Sequence, residues 1–537
     1  MLKNYQEFIP KVYLCLRRYS FAIFKKDLMA GVTVGIVALP LAMAFAMASG
    51  VEPERGLFTA IIAGFIISFL GGSKVQIGGP TGAFVVVVFN VVERHGYDGL
   101  VLATLIAGVL LLLMGAFRLG SLIKFVPHPL IVGFTTGIAV VVFSCQIKDL
   151  LGLQMVEVPV HFLEKWKAYF HAAHTVHYLT AIVGIATVGL IMLVKRFTKA
   201  IPWGIASIIL ATAICWALHL DIPTVATRFG QLPKTLPAPY FDFEFHRVLD
   251  VMPDAITIAL LAGIESLLSA VIADAVTGSR HKPNCELIAQ GLANIGSVVF
   301  GGMPATAAIA RTATNIKTGA QTPVAGMIHA VTVFILLMTC SSLVGHIPLA
   351  SLAAILVVVT WNMSALPHFF RLMKTSRSDV VILLTAFFLT VLIDLTVAVE
   401  IGMLLAAFFF MKRMSDVKHV IAPDQKDLEK GIEIYKMRGP FFFGVCDQLK
   451  KIVHDMDPPP KLFILRMKHV PVLDATALQT FRELHDRCAL HNTKIVLTEV
   501  QPEPVELLTQ YGLGTLVDQD ILKQTTQLIE GAKNPPT

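Results

Sequence analysis

The stretch QIGGPTGAFVVVVFN, from Gln76 to Asn90, decides how the chain is read. A Gly-Gly-Pro break and a Thr stand at the head of a run that is otherwise apolar enough for lipid. A second stretch, VFGGMPATAAIARTATN from Val299 to Asn315, again sets Gly-Gly, a Pro and a Thr before a helix-forming run. Two such breaks call for one common reason.

The surroundings supply it. Of 537 residues, 55% are hydrophobic and 15% charged, whereas roughly 25% are charged in an average soluble domain. Apolar stretches of about 17 to 25 residues, long enough to cross a bilayer as helices, recur from Leu28 to Met411. Twelve full-length candidates begin near Leu28, Gly56, Leu100, Leu130, Leu179, Trp203, Ala255, Leu287, Pro323, Pro348, Val380 and Val397, and two short ones follow Pro80 and Pro304. Past Lys412, stretches such as GIEIYKM and KLFILRM mix charge with short alternating strands, which predicts a soluble domain. The expected divisions are a terminal segment 1–26, membrane repeats 27–250 and 251–415, and a tail domain 430–530.

No charged start, apolar run and small-residue cleavage site occur together, so the N-terminus is expected to be retained. Lys3, Lys11, Arg17, Arg18, Lys25 and Lys26 predict that it is cytoplasmic. With fourteen crossings the C-terminus returns to the same side, where Lys195, Arg196, Lys199, Arg280, Lys282, Arg371, Lys374, Arg377, Lys412 and Arg413 gather. The opposite loops also carry Lys165, Lys167, Arg228, Lys234 and Arg247, mostly in long segments where that rule weakens. A net charge of +7 without a basic run interleaved with aromatics gives no reason to expect nucleic acid. Seven cysteines lack metal-ligand spacing.

If the broken helices are the third and tenth crossings, each half holds seven spans. An odd number inverts the second half, so the two Pro-headed helices face each other. Non-helical backbone at membrane depth survives only when buried in protein or lining a cavity. Gly78, Gly79, Gly301 and Gly302 supply a flexible approach, and Pro80 and Pro304 suit the first helical turn. Converging helix starts leave unpaired N–H groups and partial positive charge, an anion site at mid-membrane. Inverted repeats with discontinuous helices are the pattern of secondary transporters. A single Gly-Gly-Pro could merely end a loop; two symmetric copies argue for a site.

Four segments resemble the SulP, or sulfate permease, family: DLMAGVTVGIVALPLAMAFAMASGVEPERGLFTAIIAG (Asp27 to Gly64), GGPTGAFVVVV, ELIAQGLANIGSVVFGGMPATAAIARTATN and VPVLDATALQTF. The resemblance covers nearly the whole chain. It implies an α-helical polytopic protein of fourteen spans in two inverted seven-helix repeats, with a small α/β cytoplasmic STAS domain. It also implies a dimer that moves anions by shifting a core domain against a gate domain. Bacterial members include sulfate, bicarbonate and four-carbon dicarboxylate carriers, so these motifs do not specify the substrate. Many members carry Gln and Tyr in the first span where this chain has Leu41 and Phe45, which removes two hydrogen-bonding groups near the site.

In AGIESLLSAVIADAV, Glu265 falls mid-span, where a charge usually marks a pathway or a coupling ion; the alternative is a neutral carboxyl holding helices together. Ser269 lies one turn on, on the same face. By resemblance the pair sits where members bind Na⁺ or relay H⁺. Asp274 is expected to cap or pair at the membrane edge, and Asp394 and Glu400 to lie in an exposed turn. Arg311, seven residues past Pro304, either adds positive field to the anion site or anchors at the inner surface; the matching family Arg lies close to the bound anion. Thr81 and Thr306 can donate hydroxyl bonds or cap, while Gly82, Ala83, Phe84, Ala305 and Ala307 offer backbone N–H groups.

His161, His171, His174 and His177 could share a metal, but an amphipathic surface helix is the expected reading. Thr476, in a loop that resembles the phosphorylated loop of related proteins, is a candidate regulatory hydroxyl, with loop packing as the alternative. No Walker A loop, nucleophile elbow, H-E-x-x-H pair or dinucleotide fingerprint occurs. The expectation is therefore a cofactor-free secondary transporter of the cell membrane, not an enzyme or pump. Its partners would be a small anion, sulfate foremost, a coupling cation (H⁺ or Na⁺) on Glu265 and Ser269, lipid, a second copy and a cytoplasmic protein on the tail. A bicarbonate or dicarboxylate symporter, an uncoupled channel or exchanger, and a membrane-anchored signalling protein are the alternatives.

Overall fold

In a computed structural model, the described residues are all except 1–5, 18, 122–125, 156, 157, 160, 198–202, 242–244, 394, 417–419, 428–430, 455–458 and 521–537. Lys3, Arg18, Lys199 and Asp394 lie outside them. The chain forms two compact units, Met1–Leu404 and Leu405–Thr537.

The first unit is helical. Its main elements are α1 (Phe21–Ala48), α2 (Pro53–Leu70), β1 (Gly78–Gly79), α3 (Gly82–Ala116), α4 (His128–Leu151), α5 (Phe162–Ala172), α6 (Tyr178–Phe197) and α7 (Trp203–Ala217). The second half continues with α8 (Val248–Thr277), α9 (Pro283–Val299), β2 (Thr306–Ala307), α10 (Ile309–Lys317), α11 (Val324–Gly345), α12 (Leu349–Met363), α13 (Arg377–Leu392) and α14 (Leu395–Asp416). Among the described residues, eight helices are long and apolar enough to cross a membrane alone. The remaining expected spans coincide with α7, α9, α10, α13 and α14, which is consistent with fourteen crossings.

Helix α3 is two helices in one: Gly96 (φ 71°, ψ −177°) divides it, so 82–95 is the short half-helix and 97–116 the next full span. Its counterpart in the second half is the nine-residue α10 followed by α11. Helix contacts repeat under this pairing. The packing of α1 on α11 mirrors α8 on α3, α2 on α11 mirrors α9 on α3, and α13 on α4 mirrors α12 on α6. The helices thus sort into two groups, one around both breaks (α1–α3, α8–α11) and one around α4, α6, α12 and α13. Small residues let backbones approach, as membrane packing requires: a Cβ on Gly291 would stand 2.6 Å from the Gly108 carbonyl oxygen.

The breaks meet directly. β1 and β2 pair antiparallel, Gly78 with Ala307 and Gly79 with Thr306, and the Ala308 N–H donates to the Ile77 carbonyl at 2.8 Å. One two-residue ladder therefore satisfies backbone that lipid could not.

The second unit contains a four-stranded sheet in the order β3 (Val420–Asp427), β4 (Ile432–Arg438), β5 (Leu462–His469), β6 (Lys494–Thr498). β3 is antiparallel to β4, while β4, β5 and β6 run parallel. Crossover helices α15 (Phe443–His454) and α16 (Ala475–Leu490) join them, and α17 (Pro502–Gln510) follows. Phe441, Phe463, Phe481, Leu465 and Leu497 form its buried core.

Candidate functional site

The site grows from the polar stripe of α9. Glu286, Gln290, Asn294 and Ser297 recur at spacings of four and three and are fully buried, which places them on one face. Asn294 clamps the second break: its Oδ1 accepts from the Ala305 N–H and its Nδ2 donates to the Ala305 carbonyl, both at 2.9 Å. Ser297 Oγ donates to the Met303 carbonyl at 2.7 Å, and the Met303 N–H donates to Thr59 Oγ1 at 2.7 Å. Glu286, on the same face, ties the end of α2 to α8, accepting from the Gly72 N–H (2.8 Å), Ser266 Oγ (3.0 Å) and Gln290 Nε2 (2.9 Å). Each bond of this kind contributes about 1 kcal/mol net, and each group left unpaired would cost more.

On this frame the half-helix starts differ from the expected ones. Thr81 is the N-cap of 82–95, so Pro80 lies just outside the helix. α10 begins at Ile309, five residues after Pro304, because residues 305–308 are extended for the β1–β2 ladder and the Asn294 clamp. Neither Pro occupies a first helical turn. Gly82, Ala83 and Phe84 are buried at the first start, whereas Ile309 and Ala310 are exposed at the second. Ala305 has its N–H committed to Asn294, and Thr306 Oγ1 donates to the Ala262 carbonyl at 2.9 Å. Ala307 is held in the ladder. The free first-turn N–H groups of the second half therefore belong to Ile309, Ala310 and Arg311.

Arg311 crosses between the breaks. It is 3% exposed, its Nη2 donates to the Pro80 carbonyl at 2.6 Å, and its Nη1 has no hydrogen-bond partner among the described residues. Gly79 makes room for it: at φ 146°, a Cβ there would stand 2.5 Å from Nη1. No carboxylate among the described residues pairs with this guanidinium.

Glu265 also reaches the first break, accepting from Thr81 Oγ1 at 3.0 Å and without an ion-pair partner among the described residues. Ser269 is buried and donates to Thr312 Oγ1 at 3.3 Å, and that hydroxyl also accepts the Ile77 N–H at 3.1 Å. Glu265 and Ser269 thus contact the two different breaks. Across the first start stand Phe45 and Met363: a Cβ on Gly82 would lie 2.8 Å from Met363 Sδ and 3.3 Å from Phe45 Cε1. Met363 ends α12, so a helix of the second group closes over a helix start of the first.

The other candidates separate from this site. Asp274 accepts from Ser279 Oγ, the His281 N–H and His281 Nδ1 at 2.7–2.8 Å, which caps the end of α8. Glu400 is exposed. His171 lies on α5, His161 precedes it, and His174 and His177 follow; no metal-holding group occurs among the described residues. Thr476 is exposed in the first turn of α16 behind the N-cap Asp474. Asn294, Glu286, Thr312 and Met363 escaped the sequence reading. The polar spacing of α9 would have revealed the first two; the others become visible only when distant segments meet.

Residues 24–386 match the model of the sulfate permease family, and residues 425–527 match the STAS domain. The chain is 41% identical over 506 residues to "Putative sulfate transporter YvdB" of Bacillus subtilis, covering 92% of this chain and 95% of that protein. It is 28% identical to the bicarbonate transporter BicA of a Picosynechococcus strain over 86% of each chain. Among solved structures, the transmembrane domain of a cyanobacterial BicA is 30% identical with a TM-score of 0.64, covering 71% of this chain and 98% of that one. SLC26A9 is 17% identical with a TM-score of 0.86, covering 99% and 95%, a likeness of fold.

Proposed function

Because the chain belongs to the sulfate permease family, a family of multi-pass anion transporters rather than enzymes, we propose that it is a cation-coupled symporter whose facing half-helix starts hold sulfate. The observation that carries this reading is Arg311: a buried guanidinium with one nitrogen unpaired and no carboxylate partner among the described residues, set between two inverted helix starts. Burying such a charge is costly without a counter-ion, and a transported anion is the counter-ion that can come and go.

In this reading the N–H groups of Gly82 and Ala83 and those of Ile309 and Ala310 bind oxygen atoms from opposite sides, and Arg311 adds fixed charge. Thr81, Phe84, Ala305, Thr306 and Ala307 flank the anion between them. Glu265 carries H⁺ or Na⁺, with Ser269 steadying its helix against α10, and the Thr81 hydroxyl links the cation's carboxylate to the anion's helix start. Met363 and Phe45 cover the first start while the second stays open, the asymmetry that alternating access requires. Both termini are cytoplasmic in the cell membrane, a second copy completes a dimer, and Thr476 offers the tail domain a modifiable hydroxyl.

Sulfate is preferred because the relative at 41% identity is named for it; bicarbonate is the second reading, favoured by the BicA likenesses. Proteoliposome uptake of labelled sulfate, bicarbonate and succinate under imposed proton and sodium gradients decides between them. Gradient-driven sulfate accumulation, lost in Arg311→Gln and uncoupled in Glu265→Gln, is expected. Downhill flux that ignores both gradients and Glu265→Gln would overturn the coupled mechanism.

A further inference from the structure

Away from the helix-start site, a cavity of about 210 Å³ opens between α1, α3, α4, α5 and α12. Among the described residues, Lys148, Lys165 and Arg228 line it against one carboxylate, Asp149. Asp149 is already taken by Arg228 at 2.8 Å, and Lys148 Nζ donates to the Met155 carbonyl at 3.0 Å.

Lys165 is the anomaly. It is 1% exposed, yet the contacts of its ammonium among the described residues are Cys145 Sγ at 3.2 Å and the face of Phe89 at 5.2 Å. A thiol and a ring are weak partners for a buried charge, and an isolated ammonium away from water is strongly disfavoured. A lysine here for packing alone would be better served by methionine. Its placement makes sense when an anion completes the shell.

Position gives the cavity its role. Phe89 lies seven residues beyond Gly82 on the same half-helix, about 10 Å along its axis. Ala44, in the cavity wall, is the chain neighbour of Phe45, which covers Gly82. The cavity therefore sits behind the covered helix start, on the far side from the exposed Ile309 and Ala310. We propose that this cavity is a second anion-binding site, in which Lys165 holds a small oxyanion or carboxylate before or after it occupies the helix-start site. Binding in the cavity stands by itself; only the handover rests on the transport reading.

Cys145, in the cavity wall, reports occupancy without transport. In the full chain in liposomes, with Cys145 as the sole cysteine, modification by a small anionic thiol reagent is followed at constant ionic strength with sulfate, bicarbonate or succinate against gluconate. Sulfate at about four times its dissociation constant is expected to slow labelling about fivefold, since protection follows one plus ligand over Kd. Lys165→Met is expected to abolish protection and Lys165→Arg to keep it, which separates loss of charge from loss of fold. Arg311→Gln is expected to lose uptake while keeping protection. Protection absent in the unsubstituted background, retained in Lys165→Met, or lost with Arg311→Gln would overturn the second site. Failure of uptake by the protein with Arg311 intact, while protection persists, would instead count against the transport reading.

Discussion

Gly79 and Arg311 are fitted to each other: the Arg311 Nη1 atom occupies the space that any side chain at position 79 would need, 2.5 Å from where its Cβ would stand. The first break is thus shaped around a residue 232 positions away in the chain.

Gly79→Ala should therefore displace the guanidinium as well as strain a backbone at φ 146°. Overpacking of this kind costs about 1–3 kcal/mol, and the expected result is at least about a tenfold loss of anion affinity. Gly189→Ala, in α6 with nothing within 4 Å of its Cβ position, is the control. Equal uptake by the two variants would show that the fit has no functional weight.

The Thr81–Glu265 hydrogen bond ties the proposed cation carrier to the anion's helix start. Thr81→Val keeps the shape and removes the donor, so it is expected to loosen the dependence of uptake on the imposed cation gradient while substrate binding survives. Glu265→Gln should remove that dependence entirely. Flux measured with the gradient clamped on and off checks both.

Asn294→Leu should cost stability rather than specificity. It leaves the Ala305 N–H and carbonyl buried and unpaired, at about 1–3 kcal/mol each. A fall in the unfolding temperature of the detergent-solubilised protein is expected, and unchanged thermal stability would mean that water or a shifted side chain takes over the clamp.

In the tail domain, Arg466 grips Glu499 through Nε at 2.7 Å and Nη2 at 3.2 Å. These bonds hold the Glu499 carboxyl below its ordinary range. A depressed folded pKa stabilises above the unfolded value, about 4.3, and that stabilisation fades as pH falls through the folded value. Protection of the β6 amides in the full chain, taken relative to the intrinsic exchange rate at each pH, should fall below about pH 4, and Glu499→Gln should flatten that acid limb. An unaltered acid limb would remove the pair from the pH response.

Asp474 caps α16 through Ala477 N–H at 2.7 Å and also accepts the Phe443 N–H at 3.0 Å. Asp474→Ala is expected to cost about 1 kcal/mol for the cap, read as faster exchange in the first turn of α16, the turn that presents Thr476.

The sequence by itself determined the kind of protein. Apolar runs report bilayer length, and the paired breaks at Gly78-Gly79-Pro80 and Gly301-Gly302-Met303-Pro304 report where helices stop, because lipid forbids unpaired backbone everywhere else. Those are local constraints, and they placed Thr81, Glu265 and Arg311 as candidates. What needed the tertiary structure were the partners. That Ala305 spends its N–H on Asn294, that α10 starts at Ile309 rather than Pro304, that Met363 lies over Gly82, and that Lys165 is buried against a thiol all depend on segments far apart in sequence meeting at side-chain distance. Hydropathy records only whether a residue tolerates lipid; the energy of a buried polar group depends on which atom stands opposite it.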